Sequence, residues 1–391
     1  MLSEGELKDL LYKLAFIEQG VSDIFILSGY PFQVMVYGKM KSVYLDDFPV
    51  RTLTPFQTEV IAFTMLRDKP NLFYKLLKDG YADFSYFLDD QTRFRVNVFS
   101  RQKTYNIIMR KLDSKIKSIE ELGLPKVFYR IAQEKYGIIL VTGATGQGKT
   151  TTLAAILHEI NKNNPVHILT LEDPVEYIHK PIKATVNQRE LGTDFSSFAE
   201  GLRAALREAP HVILVGEIRD RETMDIALTA AETGHLVFST LHTIGASQTI
   251  NRIIGFYPME EERQVRQRLA SALRWVIGQK LLPKIGGGRI AVFDILYNNL
   301  RIREIILTGE TENKTFYDAM TQGGPFGMQT FDQHLIALYA KGLIEEEQAL
   351  YHCIRRDIVN RQIDIIKKKR KSSAAEQEDI TLELDGKGVK W

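Results

Sequence analysis

Ile138-Ile-Leu-Val-Thr-Gly143-Ala-Thr145-Gly146-Gln147-Gly148-Lys149-Thr150-Thr151 is the stretch whose reading decides the fold. An apolar run stops at a glycine-rich loop, and the loop opens into Leu153-Ala-Ala-Ile-Leu157, which has the composition of a helix. Gly143, Gly148, Lys149 and Thr150 satisfy the G-x-x-x-x-G-K-[ST] spacing of a phosphate-binding loop. Bare backbone N–H groups must wrap closely round phosphate oxygens there, and a Cβ would obstruct them. The following helix aims its unpaired N–H groups and positive dipole end at the same anion. The loop residues Gly143, Thr145, Gly146, Gln147, Gly148, Lys149, Thr150 and Thr151 are therefore candidates to hold ATP. Lys149 would reach the β- and γ-phosphates, and the Thr150 hydroxyl would ligate Mg²⁺. A chance match in a Gly-rich turn is the competing reading, and the strand before and helix after weigh against it.

The 391 residues are many for one core, so two domains are expected. Lys+Arg 51 against Asp+Glu 49 leaves a formal charge of +2, which argues against a nucleic-acid protein with a basic face. The single cysteine, Cys353, excludes an intrachain disulfide framework and a multi-cysteine zinc site, and suits a reducing, cytoplasmic setting. Met1–Leu10 is acidic and amphipathic, unlike an export signal, and no apolar run approaches a membrane span, so a membrane link would run through a partner.

Outward from the loop, residues 124–300 alternate apolar strands with helices, the mark of a mostly parallel sheet flanked by helices. The strand candidates are Ile138–Val141, His167–Leu171, His211–Val215, Leu236–Ser239 and Arg289–Ile295. Helices are expected over Phe198–Glu208, Arg221–Glu232 and Glu260–Val276, and residues 301–365 read as helices only. Upstream, residues 4–18 carry Leu7, Leu10, Leu11, Leu14 and Ala15 on one helical face. Asp23–Leu27 and Phe32–Gly38 read as strands round a Gly29-Tyr-Pro31 turn. Thr54 and Pro55 open a helix, residues 72–78 form another, and the stretches from Tyr81 and Thr92 alternate in period two. The division expected is a small α+β domain over 1–99, a basic interdomain linker over 100–118, the main α/β domain with its C-terminal helices over 119–365, and a polar, disordered tail over 366–391. The Lys367–Lys371 run reads by default as a solvated helix end, with contact to acidic lipid as the alternative.

Two stretches repeat one logic, an apolar strand ending in carboxylates: Ile168-Leu-Thr-Leu-Glu172-Asp173-Pro174-Val-Glu176 and Val212-Ile-Leu-Val-Gly216-Glu217-Ile-Arg219-Asp220. In a doubly wound sheet the site lies outside the carboxyl ends of the strands, beside the phosphate loop. Nucleotide hydrolysis needs a carboxylate to hold Mg²⁺, usually through water, and a base to orient the attacking water. Glu172 and Glu217 supply the two acids, and which does which stays open at this stage. Thr233-Gly-His235-Leu-Val-Phe-Ser239-Thr240-Leu-His242-Thr243 places one His before a buried strand and one after it. Their separation along an extended chain excludes a metal pair. A His at the loaded end of a strand could sense the γ-phosphate; a hydrogen-bonded structural role is the alternative.

Gly143–Thr151, Glu172-Asp-Pro-Val-Glu176, Gly216-Glu-Ile-Arg-Asp220 and Thr233-Gly-His…Leu-His-Thr243, in this order, resemble the Walker A, Asp box, atypical Walker B and His box of the secretion ATPase superfamily. Gly201-Leu-Arg-Ala-Ala-Leu-Arg-Glu208 extends the agreement, which covers the chain to about residue 355. Within it the chain is similar to the pilus retraction (twitching motility) ATPases of the PilT/PilU type, on Gly20-Val-Ser-Asp23-Ile-Phe-Ile, Phe94-Arg95-Val-Asn97 and Gly327-Met-Gln-Thr-Phe-Asp332-Gln. The resemblance implies a RecA-like ATPase domain preceded by a PAS-like domain. It also implies a cytoplasmic homo-hexamer, peripheral to the inner membrane through a pilus platform protein, with a paralogous retraction ATPase as a further partner. It makes Arg95 and Arg110 phosphate-facing arginines, with Arg93 a weaker candidate, and it assigns catalytic parts to Glu172, Glu217, His235 and His242. Glu217 joins Thr150 as a Mg²⁺ residue.

The chain departs from the family at Gln147, where Ser is usual, at Ala209-Pro210-His211 in place of Asp-Pro-Asp, and at Gly278-Gln279-Lys280 in place of Ser-Gln-Arg. A pilus assembly or type II secretion ATPase and a RecA-type nucleic-acid translocase are the alternatives. The former commonly carry a tetracysteine zinc insertion that one cysteine cannot make. A catalytically weak partner riding on a cognate hexamer is a third.

Overall fold

The computed structural model describes residues 2–48, 50–89, 92–112 and 115–385, with side chains through Arg370. The chain begins with α1 (Glu4–Ala15), β1 (Val21–Ile26), β2 (Phe32–Val36), β3 (Lys39–Val43), α2 (Pro55–Met65), α3 (Pro70–Asp79), β4 (Tyr81–Phe87), β5 (Arg93–Arg101) and β6 (Thr104–Leu112). Thr54 caps α2 and Pro55 occupies its first turn as expected, Thr54 forming a capping box with Gln57; Ser3 forms another with Glu6 at the start of α1. The six strands make one antiparallel sheet in the order β3-β2-β1-β6-β5-β4. Leu7, Leu11, Leu14, Phe32, Phe84, Phe94, Val96 and Ile107 fill its core.

The remainder runs α4 (Val127–Ile131), β7 (Gly137–Thr142), α5 (Lys149–Asn163), β8 (His167–Glu172), β9 (Thr185–Glu190), α6 (Phe198–Ala205), β10 (Val212–Val215), α7 (Arg221–Glu232), β11 (Leu236–Leu241), α8 (Ala246–Ile254), α9 (Glu262–Ala272), β12 (Leu273–Pro283), β13 (Arg289–Tyr297), α10 (Leu300–Thr308), α11 (Phe316–Thr321), α12 (Phe331–Ala340), α13 (Glu346–His352) and α14 (Arg356–Asp385). Its seven-stranded sheet has the order β13-β12-β7-β11-β10-β8-β9. By packing, the chain divides into two units, residues 1–137 with 150–239, and residues 138–149 with 240–391. In the first unit β9, β8, β10 and most of β11 run parallel, with Val212 opposite Ile168 and Leu236. In the second, β12 pairs parallel with β7 and antiparallel with β13.

Three expectations are corrected. The helix foreseen over Glu260–Val276 ends at Ala272; Leu273 turns extended (φ −63°, ψ 136°) and begins β12 without a Gly or Pro to mark the change. The basic stretch foreseen as a linker from Ser100 carries the end of β5 and all of β6, because Ile107 and Met109 are buried on one face while Ile108 and Arg110 lie on the other, and the strand pairs along β5. The tail foreseen as disordered from residue 366 continues α14 to Asp385; residues 386–391 lie outside the described residues. Lys367 pairs with Glu346 (2.7 Å), and Arg370 donates to Tyr339 O (2.8 Å) and Ala340 O (3.1 Å). Two charges of the Lys367–Lys371 run are thus used inside the fold, one of them on the last carbonyls of α12.

The second unit is knitted round two buried aspartates. Asp294 on β13 accepts from Ala246 N–H (2.9 Å) at the start of α8 and from Phe331 N–H (3.3 Å) at the start of α12, and burial pushes its pKa up to about 6. Asp332 accepts from Ile354 N–H (2.7 Å), Arg355 N–H (2.9 Å) and Tyr317 O–H (2.8 Å). The Gly327–Gln333 motif is therefore scaffold: Gln329 bridges Ile295, and Thr330 caps α12 with Gln333.

Candidate active site

The phosphate-loop residues from Gly143 to Lys149 belong to the second unit. β7, buried throughout, delivers the chain to Gly143. At Gly143 φ is +149°, and an added Cβ would stand 2.4 Å from the carbonyl oxygen of Gln279. The position excludes a side chain by conformation and by space together. Gly148, at φ +80°, repeats the conformational half of that requirement. Lys149 is buried, and its ammonium donates to Gly143 O (2.7 Å) and Ala144 O (3.1 Å), so the charge lies inside the curl of the loop. Thr145 and Gly146 are exposed at the rim, and Thr150 is half-buried in the first turn of α5. The Thr151 hydroxyl meets Tyr177 Oη at 3.0 Å in the first unit.

Gln147, the departure from Ser, has a definite role. Its backbone carbonyl accepts from Gln279 Nε2 (2.7 Å), and its side-chain Oε1 accepts from Leu281 N–H (2.6 Å). A serine hydroxyl, two heavy atoms shorter, would not make the second bond. The loop is thereby latched to β12, and Gln279, fully buried, is a loop-holding residue that sequence reasoning noted only as part of a variant motif. Gly278 is required beside it, since a Cβ there would meet Gly245 Cα at 2.8 Å.

The histidines separate. Leu241 O, the last carbonyl of β11, accepts from Gly143 N–H (3.3 Å), so the exposed His242 leaves the strand next to the start of the loop. His235 precedes β11 at its amino end, where its ring meets Ala230 O (3.1 Å) and Thr233 Oγ1 (3.3 Å). A strand of six residues spans ~20 Å. His235 therefore does not reach the carboxyl edge of β11 in this chain, and its ring contacts there are to its own turn.

The acids belong to the first unit. Glu172 ends β8 and is buried; Thr170 O–H (2.6 Å) and Gln188 Nε2 (3.1 Å) both donate to its Oε1. Burial dominates these bonds and pushes its pKa up to about 7, the range in which a carboxylate works as a base near neutrality. Gly216 follows β10, donates to Leu171 O (2.7 Å), and is a tight position for a side chain: a Cβ would lie 3.1 Å from Leu171 O. The carboxylate comes one residue later, from Glu217, which is largely buried and paired with Arg219. Asp173, also raised chiefly by burial, completes the acidic edge.

Across the N-terminal sheet, Asp23, Arg110, Arg95 and Ser85 are successive cross-strand partners, so the register sets both arginines side by side. Arg110 Nε donates to Asp23 Oδ1 (2.8 Å) while its side chain stays 72% exposed. Arg95 Nη1 lies 3.8 Å from Glu176 Oε1. Arg93 differs: it is 4% exposed and donates to Val175 O (3.1 Å) and Glu176 O (2.5 Å). Burial lowers its pKa, and the nearby Glu172 and Glu190 charges oppose that shift. Gln188 and Glu190, on one face of β9, were not foreseen; a polar edge strand carries no apolar signal by which to find them.

Residues 75–289 match the family described as Type II/IV secretion system protein. The chain is 43% identical to the "Type IV pilus retractation ATPase PilT" of Pseudomonas aeruginosa over 87% of this chain and 97% of that protein. It is 44% identical to a "Twitching motility protein" of Neisseria gonorrhoeae over 81% of this chain and 82% of the other. A crystal structure of the pilus retraction motor PilT with bound ADP superimposes with a TM-score of 0.79 at 41% identity, covering 92% of this chain and 100% of that one.

Proposed function

The chain belongs to the Type II/IV secretion system protein family, and from that premise we propose that it is a ring-forming motor ATPase that couples ATP hydrolysis to retraction of a type IV pilus. The observation that carries the enzymatic half is the loop from Gly143 to Lys149, with its side-chain-free floor and buried ammonium, in a chain whose parallel strands end in the carboxylates Glu172 and Glu217. The likeness to a retraction ATPase along nearly the whole of that protein supports the direction of work. The six-stranded N-terminal sheet is read as PAS-like on its strand order, and the seven-stranded sheet as RecA-like.

The residues fit a nucleotide and its metal. Backbone N–H groups bared by glycine and the Lys149 ammonium suit phosphate oxygens, and the Thr150 hydroxyl with Glu217, the latter through water, offers the oxygen donors that Mg²⁺ takes. The ion supplies charge neutralisation at the β- and γ-phosphates. Lys149 releases Gly143 O and Ala144 O and turns its protons to phosphate. Glu172 accepts a proton from the attacking water, a task suited to a carboxylate poised near 7. Arg95 and Arg110 neutralise charge as it develops on the transferring group, a contribution of ~10³–10⁵ in rate for an arginine finger. His242, one residue from the strand that holds Gly143, senses the γ-phosphate.

We place the motor as a homo-hexamer at the inner membrane, bound through a pilus platform protein and working with a paralogous retraction ATPase. No helix among the described residues is long and apolar enough to cross a membrane. Deleting the gene and counting surface pili tests the reading: loss of a retraction motor leaves excess, immobile pili, whereas loss of an assembly motor leaves none. Strong stimulation of ATP hydrolysis by single-stranded DNA would instead identify a translocase.

A further inference from the structure

We infer that Arg93 and Glu190 are positioning residues through which the N-terminal sheet sets the placement of the Glu172 carboxylate, so that turnover depends on that sheet being seated on the acidic turn. The inference rests on the reading of Glu172 as the base. The turn leaving β8 at Glu172 is gripped at successive peptide groups by two buried ions. Glu190, at the end of β9, divides its carboxylate: Oε1 accepts from Ser85 N–H on β4 (2.9 Å), and Oε2 accepts from Val175 N–H in the turn (3.2 Å). Arg93, on β5, spreads its guanidinium over Val175 O (3.1 Å) and Glu176 O (2.5 Å). The Ser85 hydroxyl adds a third contact, to Val175 O (3.3 Å).

The grip reaches the carboxylate through one residue. The Glu176 peptide N–H favours the ionised form of the nearby Glu172 carboxylate, while the Glu176 carbonyl is held by Arg93. On the other side, Gln188 donates to Glu172 Oε1 (3.1 Å) and Tyr177 O (2.8 Å) and accepts from His179 N–H (2.8 Å), which fixes the turn beyond Glu176. Gln188 and Glu190 both belong to β9, so that half of the brace stays whatever the N-terminal sheet does. Arg93 and Ser85 belong to β5 and β4. When the sheet leaves, the Val175–Glu176 segment loses three donors and Glu190 keeps an unpaired oxygen, an arrangement costly for buried charges. The Glu176 peptide is then released, and with it a dipole that favours the Glu172 anion, as does Gln188, which holds the turn between Glu172 and Tyr177 O. Arg93 in this account touches no substrate; it acts on Glu172 through a main-chain link.

Steady-state ATP hydrolysis and fluorescent-nucleotide binding by the full chain test this with Arg93→Met, Arg93→Lys, Glu190→Gln and Glu172→Gln. Misplacement of a reacting group by about 1 Å costs ~10²-fold. The expected result is a kcat lower by ~10–100-fold in R93M, with nucleotide affinity and KM within ~2-fold of the parent. R93K, which restores a donor to one carbonyl but not the fork, recovers part of that loss. R93M placed in the E172Q background lowers the rate no further, since a clamp has nothing left to aim. An R93M enzyme with unchanged kcat, or with raised KM at unchanged kcat, overturns the inference. If R93M does not fold by its melting transition, E190Q decides by the same kcat criterion. Undiminished turnover in E172Q sinks the base reading itself, a result separable from the clamp because it appears without touching Arg93.

Discussion

Thr170→Val offers a clean perturbation of the proposed base. Thr170 is wholly buried on β8 and donates to Glu172 Oε1 at 2.6 Å; valine keeps its shape and suits a strand. Burial holds Glu172 near 7 although Thr170 and Gln188 both favour the ionised form. A hydrogen bond to a charged group is worth about 1.5–3 kcal/mol, and the protonated carboxyl retains part of it, leaving a differential of ~1.4 kcal/mol, or about one pKa unit. The sign follows: losing a donor to the anion raises the pKa, so the base is empty of its proton only at higher pH. At pH 7 the ionised fraction falls from about a half to about a tenth, a ~5-fold loss of kcat, and by pH 9 variant and parent converge. The assay is kcat at saturating ATP from pH 6 to 9. An acid limb with an unmoved midpoint, or a uniform loss at every pH, would refute the assignment of Glu172.

Lys149→Ala will reduce hydrolysis to background and weaken nucleotide binding in a fluorescence titration, with the melting transition followed as the control for folding. Arg110→Ala will lower kcat on the order of 10³-fold with binding retained; its exposed pair with Asp23 contributes under about 1 kcal/mol, so stability is a control. Full-rate hydrolysis by a monomer would contradict the proposed homo-hexamer as the working form. Truncation after Ile366 removes the Arg370 bonds to the end of α12 and will lower the melting temperature by ~2 °C, from about 1 kcal/mol. An unchanged melt together with lost vesicle binding would return the Lys367–Lys371 run to a lipid role.

What was legible in the chain followed from periodicity and punctuation. β7, the loop and α5 announce themselves because an apolar run, three glycines and a helix former stand in order. The capped starts of α1 and α2 are likewise local chemistry. β12 escaped because Ala272 passes to Leu273 with no breaker, and Arg274-Trp-Val-Ile reads as easily as buried helix. β9 escaped because Thr185-Val-Asn-Gln-Arg-Glu190 is an edge strand with one apolar residue. In the site, Lys149 and Glu172 sit at motif positions, whereas Gln279, Gln188 and Glu190 matter through partners over 100 residues away or across a strand register. His235 and His242 look alike in sequence, and only their places at opposite ends of β11 tell them apart.

The Gln147 latch also bears on how a stroke would travel. β12 holds the phosphate loop at Gln279 and Leu281, while Lys280 between them donates to His352 O (2.8 Å) and stacks on Phe331. One strand carries the loop on alternate residues and the C-terminal helices on the residue between, and Asp294 on the adjoining strand pins α8 and α12. Such a linkage has little slack. A shift of the loop by a fraction of an ångström is handed to the helical cluster through hydrogen-bonded strand, which stretches far less than a packed side-chain interface slides. For a machine that works against a load, low compliance between the fuel grip and the output arm limits the part of each step lost to elastic give.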